Sequence, residues 1–148
     1  MNTATHPHAD RVILVVGMPT QVRGWRHELE SAMGVQTLGF EDSEEALEQF
    51  RASPCIDGVV QNYVRSDMNG MQFAWALRRH HGFRGPIVCL TDCDFDAGTR
   101  SFFSEIYGMT VYGGLEIKKG IARLDWAFST AYEFTRPPRR SPDASVDE

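Results

Sequence analysis

The chain has 148 residues, 42% of them hydrophobic and 24% charged, with a formal net charge of −5. That length suits one domain with a substantial core, and the composition is ordinary for a soluble globular protein. The acidic balance argues against a nucleic-acid partner, because no basic field attracts phosphates. No apolar run approaches the roughly 20 residues needed to span a bilayer, and Met1 to Asp10 lacks the apolar stretch of a signal peptide. No membrane association and a cytoplasmic location are therefore expected.

Three cysteines, Cys55, Cys89 and Cys93, make an odd count without a secretion signal, which argues against a disulfide framework. The spacing of Cys89 and Cys93 is not the C-x-x-C of redox or zinc sites, so they read as packing or incidental thiols.

Residues 1–10 read as a disordered leader, with His6 and His8 incidental to metal binding. Val12 to Val16 is an unbroken aliphatic run, which fits a strand covered on both faces, as in a parallel sheet. A helix is predicted from about Gln21 to Met33, with Val22, Trp25, Leu29 and Met33 on one stripe and Gly34 ending it. Val35 to Phe40 reads as a second strand. Asp42 followed by Glu45 resembles a capping box that opens a second helix, whose buried face is Ala46, Leu47 and Phe50. Pro54 marks its exit.

Gly58 to Tyr63 has the valines and the aromatic of a third strand, and Arg65 to Gly70 has the composition of a turn. Asn69 is placed to cap a third helix, from about Gly70 to His80. Trp75 falls off the buried stripe of that helix, as an interface anchor or a half-buried edge residue. Arg78 to His81 is a basic run that complements the helix dipole. Pro86 to Thr91 is a fourth strand, Ala97 to Tyr107 a fourth helix ended by Gly108, and Thr110 to Tyr112 a fifth strand. A last helix is predicted from about Ile117 to Phe134, with Trp126 near the edge of its stripe. Residues 135–148 hold three prolines and many charges, and read as a disordered tail.

Strands and helices alternate five times, with connections of crossover length. The expected fold is α/β, a doubly wound three-layer (βα)5 domain of flavodoxin-like type with a five-stranded parallel sheet, over residues 11–134. In such sheets chemistry gathers at the carboxyl ends of the strands. Asn62 occupies that position on the third strand. Asp67, Asp92 and Asp94 lie in loops at the same end, as helix caps or cation recruiters.

From Arg11 to Phe134 the sequence resembles the receiver domain of two-component response regulators. The resemblance rests on the element order and on four local patterns. These are Arg11-Val-Ile-Leu-Val-Val16, Glu41-Asp-Ser-Glu-Glu-Ala-Leu47, Asp57-Gly-Val-Val-Gln-Asn62 followed by Asp67-Met-Asn-Gly-Met71, and Pro86-Ile-Val-Cys-Leu-Thr91. It implies a signalling module in which an acidic pair after the first strand holds magnesium and an aspartate after the third accepts a phosphoryl group. A Thr/Ser after the fourth strand and a lysine after the fifth contact the phosphoryl oxygens. Magnesium wants hard oxygen ligands, and the developing charge must be met by metal and lysine.

The sequence departs from that pattern. Gly17 and Met18 stand at the acidic pair, Asn62 at the acceptor and Leu115 at the lysine, with Lys118 and Lys119 three and four residues on. Thr91 is retained, and Tyr112 stands at the aromatic switch position. The resemblance therefore implies a degenerate receiver: no enzyme, no cofactor, no metal, and phosphorylation-independent signalling through a protein partner or a homodimer. The surface around Thr91 and Tyr112, with Trp75 and Trp126 as candidate anchors, is the expected interface. Two alternatives stay open: a small-ligand-binding or enzymatic flavodoxin-like domain, and a phosphorelay receiver with an unusual acceptor.

Overall fold

A computed structural model describes residues 6–53 and 55–135. Pro54, the first half of the expected leader and all of the expected tail beyond Thr135 lie outside the described residues. Five strands alternate with five helices: β1 (Val12–Val16), α1 (Pro19–Met33), β2 (Gln36–Phe40), α2 (Ser43–Ala52), β3 (Gly58–Asn62), α3 (Gly70–His80), β4 (Ile87–Thr91), α4 (Ala97–Tyr107), β5 (Met109–Gly113) and α5 (Lys118–Ser129). The five strands pair in parallel, in the order β2-β1-β3-β4-β5. The doubly wound flavodoxin-like architecture expected from the alternation is therefore the observed one.

The order explains the composition of the strands. β3 and β4 are buried at every residue, because helices cover both faces of the sheet. On one face Val22, Trp25 and Leu29 of α1 and Leu124 and Phe128 of α5 pack on Ile13, Val15, Val60 and Val88. On the other, Leu47 of α2, Phe73 and Leu77 of α3 and Phe103 of α4 pack on Leu14, Val59 and Cys89. Leu14, Leu29, Leu77 and Leu124 are fully buried, each contributing about 1.5–3 kcal/mol of transfer free energy.

Local signals set most helix ends. Asp42 accepts from Glu44 N and Glu45 N, Asn69 from Gln72 N and Asp96 from Thr99 N, each satisfying donors that the first turn leaves free. Gly34 and Gly108 close α1 and α4 in the left-handed region, at φ 68° and 63°. Two helices depart from the expected bounds. α1 starts two residues early, at Pro19, because proline fits the first helical turn and Gln21 Oε1 accepts the Met18 N–H at 3.0 Å. α5 stops at Ser129 and not at Phe134. There Ala131 turns left-handed at φ 54°, and Tyr132 N donates to Ala127 O at 2.8 Å, which closes the helix with a Schellman-type reversal.

Residues 6–10, assigned from the sequence to a disordered leader, instead turn back onto the domain. His8 is buried, 3.0 Å from Asp125 and edge-on to Phe128 of α5. The basic run at the end of α3 also divides. Arg79 and His80 are exposed, but Arg78 is buried and donates to the carbonyls of Tyr107, Phe83, Gly85 and Gly108 at 2.8–3.1 Å. Its guanidinium also lies 4.5 Å from the centre of the Phe134 ring. Arg78 is thus a tie between α3, the entry to β4 and the α4–β5 turn, which a dipole role does not describe. Burial lowers its pKa to about 10, so it remains charged at neutral pH.

Candidate functional site

The sheet brings the positions singled out from the sequence to one end. Val16 of β1 lies opposite Gln61 of β3, Asn62 opposite Leu90 of β4, and Thr91 opposite Gly113 of β5. Gly17–Met18, Asn62, Thr91 and Leu115 therefore follow neighbouring strand ends or close them. Tyr112 lies one residue before that end of β5, opposite Leu90, whereas Trp75 and Trp126 sit apart, on α3 and α5.

Gly17 is buried and Met18 is 58% exposed. A β-carbon on Gly17 would lie 2.9 Å from Gln21 Oε1 and 3.4 Å from the Trp25 ring, so α1 is packed tightly beneath this position. The same Trp25 donates its indole N–H to Leu115 O at 3.0 Å. One aromatic ring of α1 thus links the loops after β1 and β5. Leu115 and Tyr112 are half-buried against the α1/α5 layer, and Lys118 and Lys119 are exposed at the start of α5.

Asn62 is 7% exposed, and its Nδ2 donates to Val64 O at 3.0 Å. Thr91 is fully buried, and its Oγ1 accepts the Cys93 N–H at 2.9 Å. Both side chains are engaged by their own loops. The Cys89 thiol, fully buried two residues before Thr91 on β4, is pushed well above its ordinary pKa by burial and stays protonated.

The most connected side chain at this end is Arg65, which the sequence marks only as part of a polar turn. Its side chain is 4% exposed. Nε donates to Ser43 Oγ at 2.9 Å, and Nη1 donates to Gln61 Oε1 at 2.8 Å and to Asn62 O at 2.6 Å. The guanidinium lies 4.9 Å from the centre of the Phe73 ring. Burial lowers its pKa to about 10, against the pull of Asp67, so the group is a fixed cation at neutral pH.

Asp67 completes the arrangement. Its carboxylate accepts Ser43 N at 2.6 Å, Ser43 Oγ at 2.9 Å and Met68 N at 2.8 Å. Burial pushes the carboxyl upward, but the Ser43 and Met68 donors and the nearby Arg65 outweigh it, so its pKa falls below the ordinary 3.8. The Ser43 hydroxyl receives from Arg65 and gives to Asp67, and so joins the loop after β3 to the first turn of α2. Gln61 supports this loop from below: its Nε2 donates to Gly70 O at 3.0 Å. Gln61 was detectable in principle, since a polar residue in an apolar strand must find partners. Arg65, Ser43 and Trp25 had no such signal. Among the described residues, no three His, Cys, Asp or Glu side chains converge to hold a metal, and no helix is long and apolar enough to cross a membrane.

This architecture is the receiver-domain fold. No family model and no curated protein matches the sequence, but solved structures match the fold over most of the chain. A receiver domain of a Francisella response regulator superposes with a TM-score of 0.70 at 17% identity, over 82% of this chain and 99% of that one. A response regulator receiver domain protein from Clostridium thermocellum gives 0.68 at 16%, over 82% and 96%. A chemotaxis protein from Vibrio cholerae gives 0.65 at 19%, over 80% and 98%.

Proposed function

We propose that the protein is a receiver-like signalling module that acts through contact with a protein partner and without phosphoryl transfer. The observation that carries this reading is the amide at the acceptor position: Asn62 lacks an anionic oxygen nucleophile, and its Nδ2 is held by Val64 O. The donor set supports it. Gly17 and Met18 offer no side-chain oxygen for magnesium, which demands hard oxygen ligands. Leu115 places an aliphatic group where the resemblance calls for a lysine to meet phosphoryl charge. The positive charge near the loop comes instead from Arg65, held by neutral acceptors and Asp67.

Such a module has one resting arrangement at its strand ends, and its output is read from its surface. Nothing here favours the alternatives. The β3–α3 loop carboxylate, Asp67, is occupied on both oxygens by Ser43, which leaves it poorly placed as an unusual acceptor.

The test is incubation of the intact chain with acetyl phosphate and magnesium, followed by intact-mass measurement under conditions that preserve acyl phosphates. No phosphoryl adduct is expected, for the protein as it is or for Asp67→Asn. An adduct that disappears in Asp67→Asn would overturn the reading.

A further inference from the structure

A groove of ≈ 430 Å³ runs between α2 and α3, on the face of the sheet away from α1 and α5. Leu47, Met68, Trp75 and Ala76 form its apolar floor, and its two ends differ in the ionisable groups they present. Glu44 and Asp67 stand at the end nearest the β3–α3 loop. Arg51, His80 and His81 stand at the other.

Two features mark the groove as unfinished. The Trp75 indole N–H is buried and has no hydrogen-bond partner among the described residues. A buried donor left without a partner is costly, so an acceptor brought there is rewarded. The exposed His80 ring covers the indole edge-on, with ring centres 4.7 Å apart. The second feature is charge. At the far end Arg51 stands with the imidazoles of His80 and His81, and its only acidic partner there is Glu48, at 2.8 Å. Both side chains of that pair are two-thirds exposed, so it is worth little and is readily exchanged.

The dimensions select the occupant. Glu44 and Arg51 are seven residues apart on one helix, a rise of about 10 Å. A second helix laid in the groove would present residues seven apart to the same two ends. We propose that this groove docks a two-turn amphipathic helix of a protein partner. That helix seats a leucine-sized side chain against Trp75. It turns a basic residue toward Glu44 and, seven positions on, an acidic residue toward His80 that accepts the Trp75 N–H. The inference rests on the proposed partner-binding function and names its surface and the partner's chemistry. It also couples that surface to the strand ends, because Asp67 both borders the groove and holds Ser43.

The experiment uses the full chain with 15N-labelled tryptophan, whose three indole N–H signals report Trp25, Trp75 and Trp126 separately. The probes are two stapled helical peptides of about three turns, each with a central leucine. One carries lysine and glutamate seven apart in the order described, and the other has them exchanged. The expected result is a saturable shift of the Trp75 signal alone, with binding of the matched peptide about tenfold tighter than the exchanged one. Glu44→Lys abolishes that preference, with a retained cooperative thermal melt as the control for folding. Equal binding of both peptides, no saturation, or a shift at Trp126 in place of Trp75 would each overturn the proposal. So would a Trp75 shift that grows with protein concentration alone, since the occupant would then be a second copy. Phosphoryl labelling would defeat the proposed function and leave this titration unchanged, so the two failures are distinguishable.

Discussion

Arg78 and Asn62 illustrate how little a residue's type says about its work. Arg78 stands in a run of four basic residues, yet it alone is buried, feeding four backbone carbonyls from one guanidinium. Nothing local separates it from Arg79. The difference arises because the turn after α4 and the entry to β4 close over its side of α3. Removing the guanidinium leaves several carbonyls short of donors, so Arg78→Met is expected to destabilise the fold by about 3–5 kcal/mol. Arg78→Lys should recover less than half of that, because an ammonium lacks the planar fork that reaches separated acceptors. Urea denaturation midpoints decide the point, and full recovery by lysine would refute the role given to the fork. Asn62 was legible in the sequence as a polar strand end. Its bond to Val64 O was not, since a loop must fold before its carbonyl has a direction.

At the scale of elements, the sequence was informative wherever one residue acts on the next turn. Asp42, Asn69 and Asp96 cap α2, α3 and α4 because a side-chain oxygen two or three residues upstream reaches a free N–H. Gly34 and Gly108 end helices because only glycine enters the left-handed region without a β-carbon clash. The end of α5 broke this pattern. An apolar periodicity continues to Phe134, but the helix stops at Ser129 with an alanine at φ 54°. The left-handed conformation costs an L-residue roughly 1–2 kcal/mol. The Tyr132–Ala127 bond and the docking of Phe134 on Arg78 offset it. Ala131→Gly should therefore raise stability by about 0.5–1 kcal/mol, after the added freedom of the unfolded chain is counted. A thermal melt that shows no gain would mean that the reversal is not strained.

Across the whole molecule, the β3–α3 loop is welded to α2 by Arg65, Ser43 and Asp67. This gives stability a defined acid dependence. The Asp67 carboxyl has a folded pKa below its ordinary value, so the unfolded chain binds its proton first as the pH falls. Its contribution is fully present above the unfolded value of 3.8 and is lost as the pH drops through the lower folded value. His81 acts in the same sense at higher pH: burial first, then Arg51 and His80, lower its pKa, so protonating it below its ordinary 6.5 also weakens the fold. Asp67→Asn is expected to lose about 1 kcal/mol at neutral pH and to unfold with a shallower pH dependence below pH 4 than the unsubstituted chain. Parallel acid titrations followed by circular dichroism measure both, and identical profiles would show that the weld carries no proton linkage.

The sequence by itself determined the order of elements, the two-sided burial of the strands and the receiver-like topology. Those depend on periodicity and on crossover length, which are written locally along the chain. It also determined which residue types stand at the strand ends. Only the tertiary structure decided what those residues touch. Trp25 reaches from α1 to Leu115 in the β5–α5 loop, and Arg65 from its loop to Ser43. Both contacts join segments that are neighbours only after the sheet has set β1 beside β3 and the helices have settled on its two faces. A polar side chain buried between elements takes whatever partner the packing delivers, and no spacing in the sequence encodes that choice.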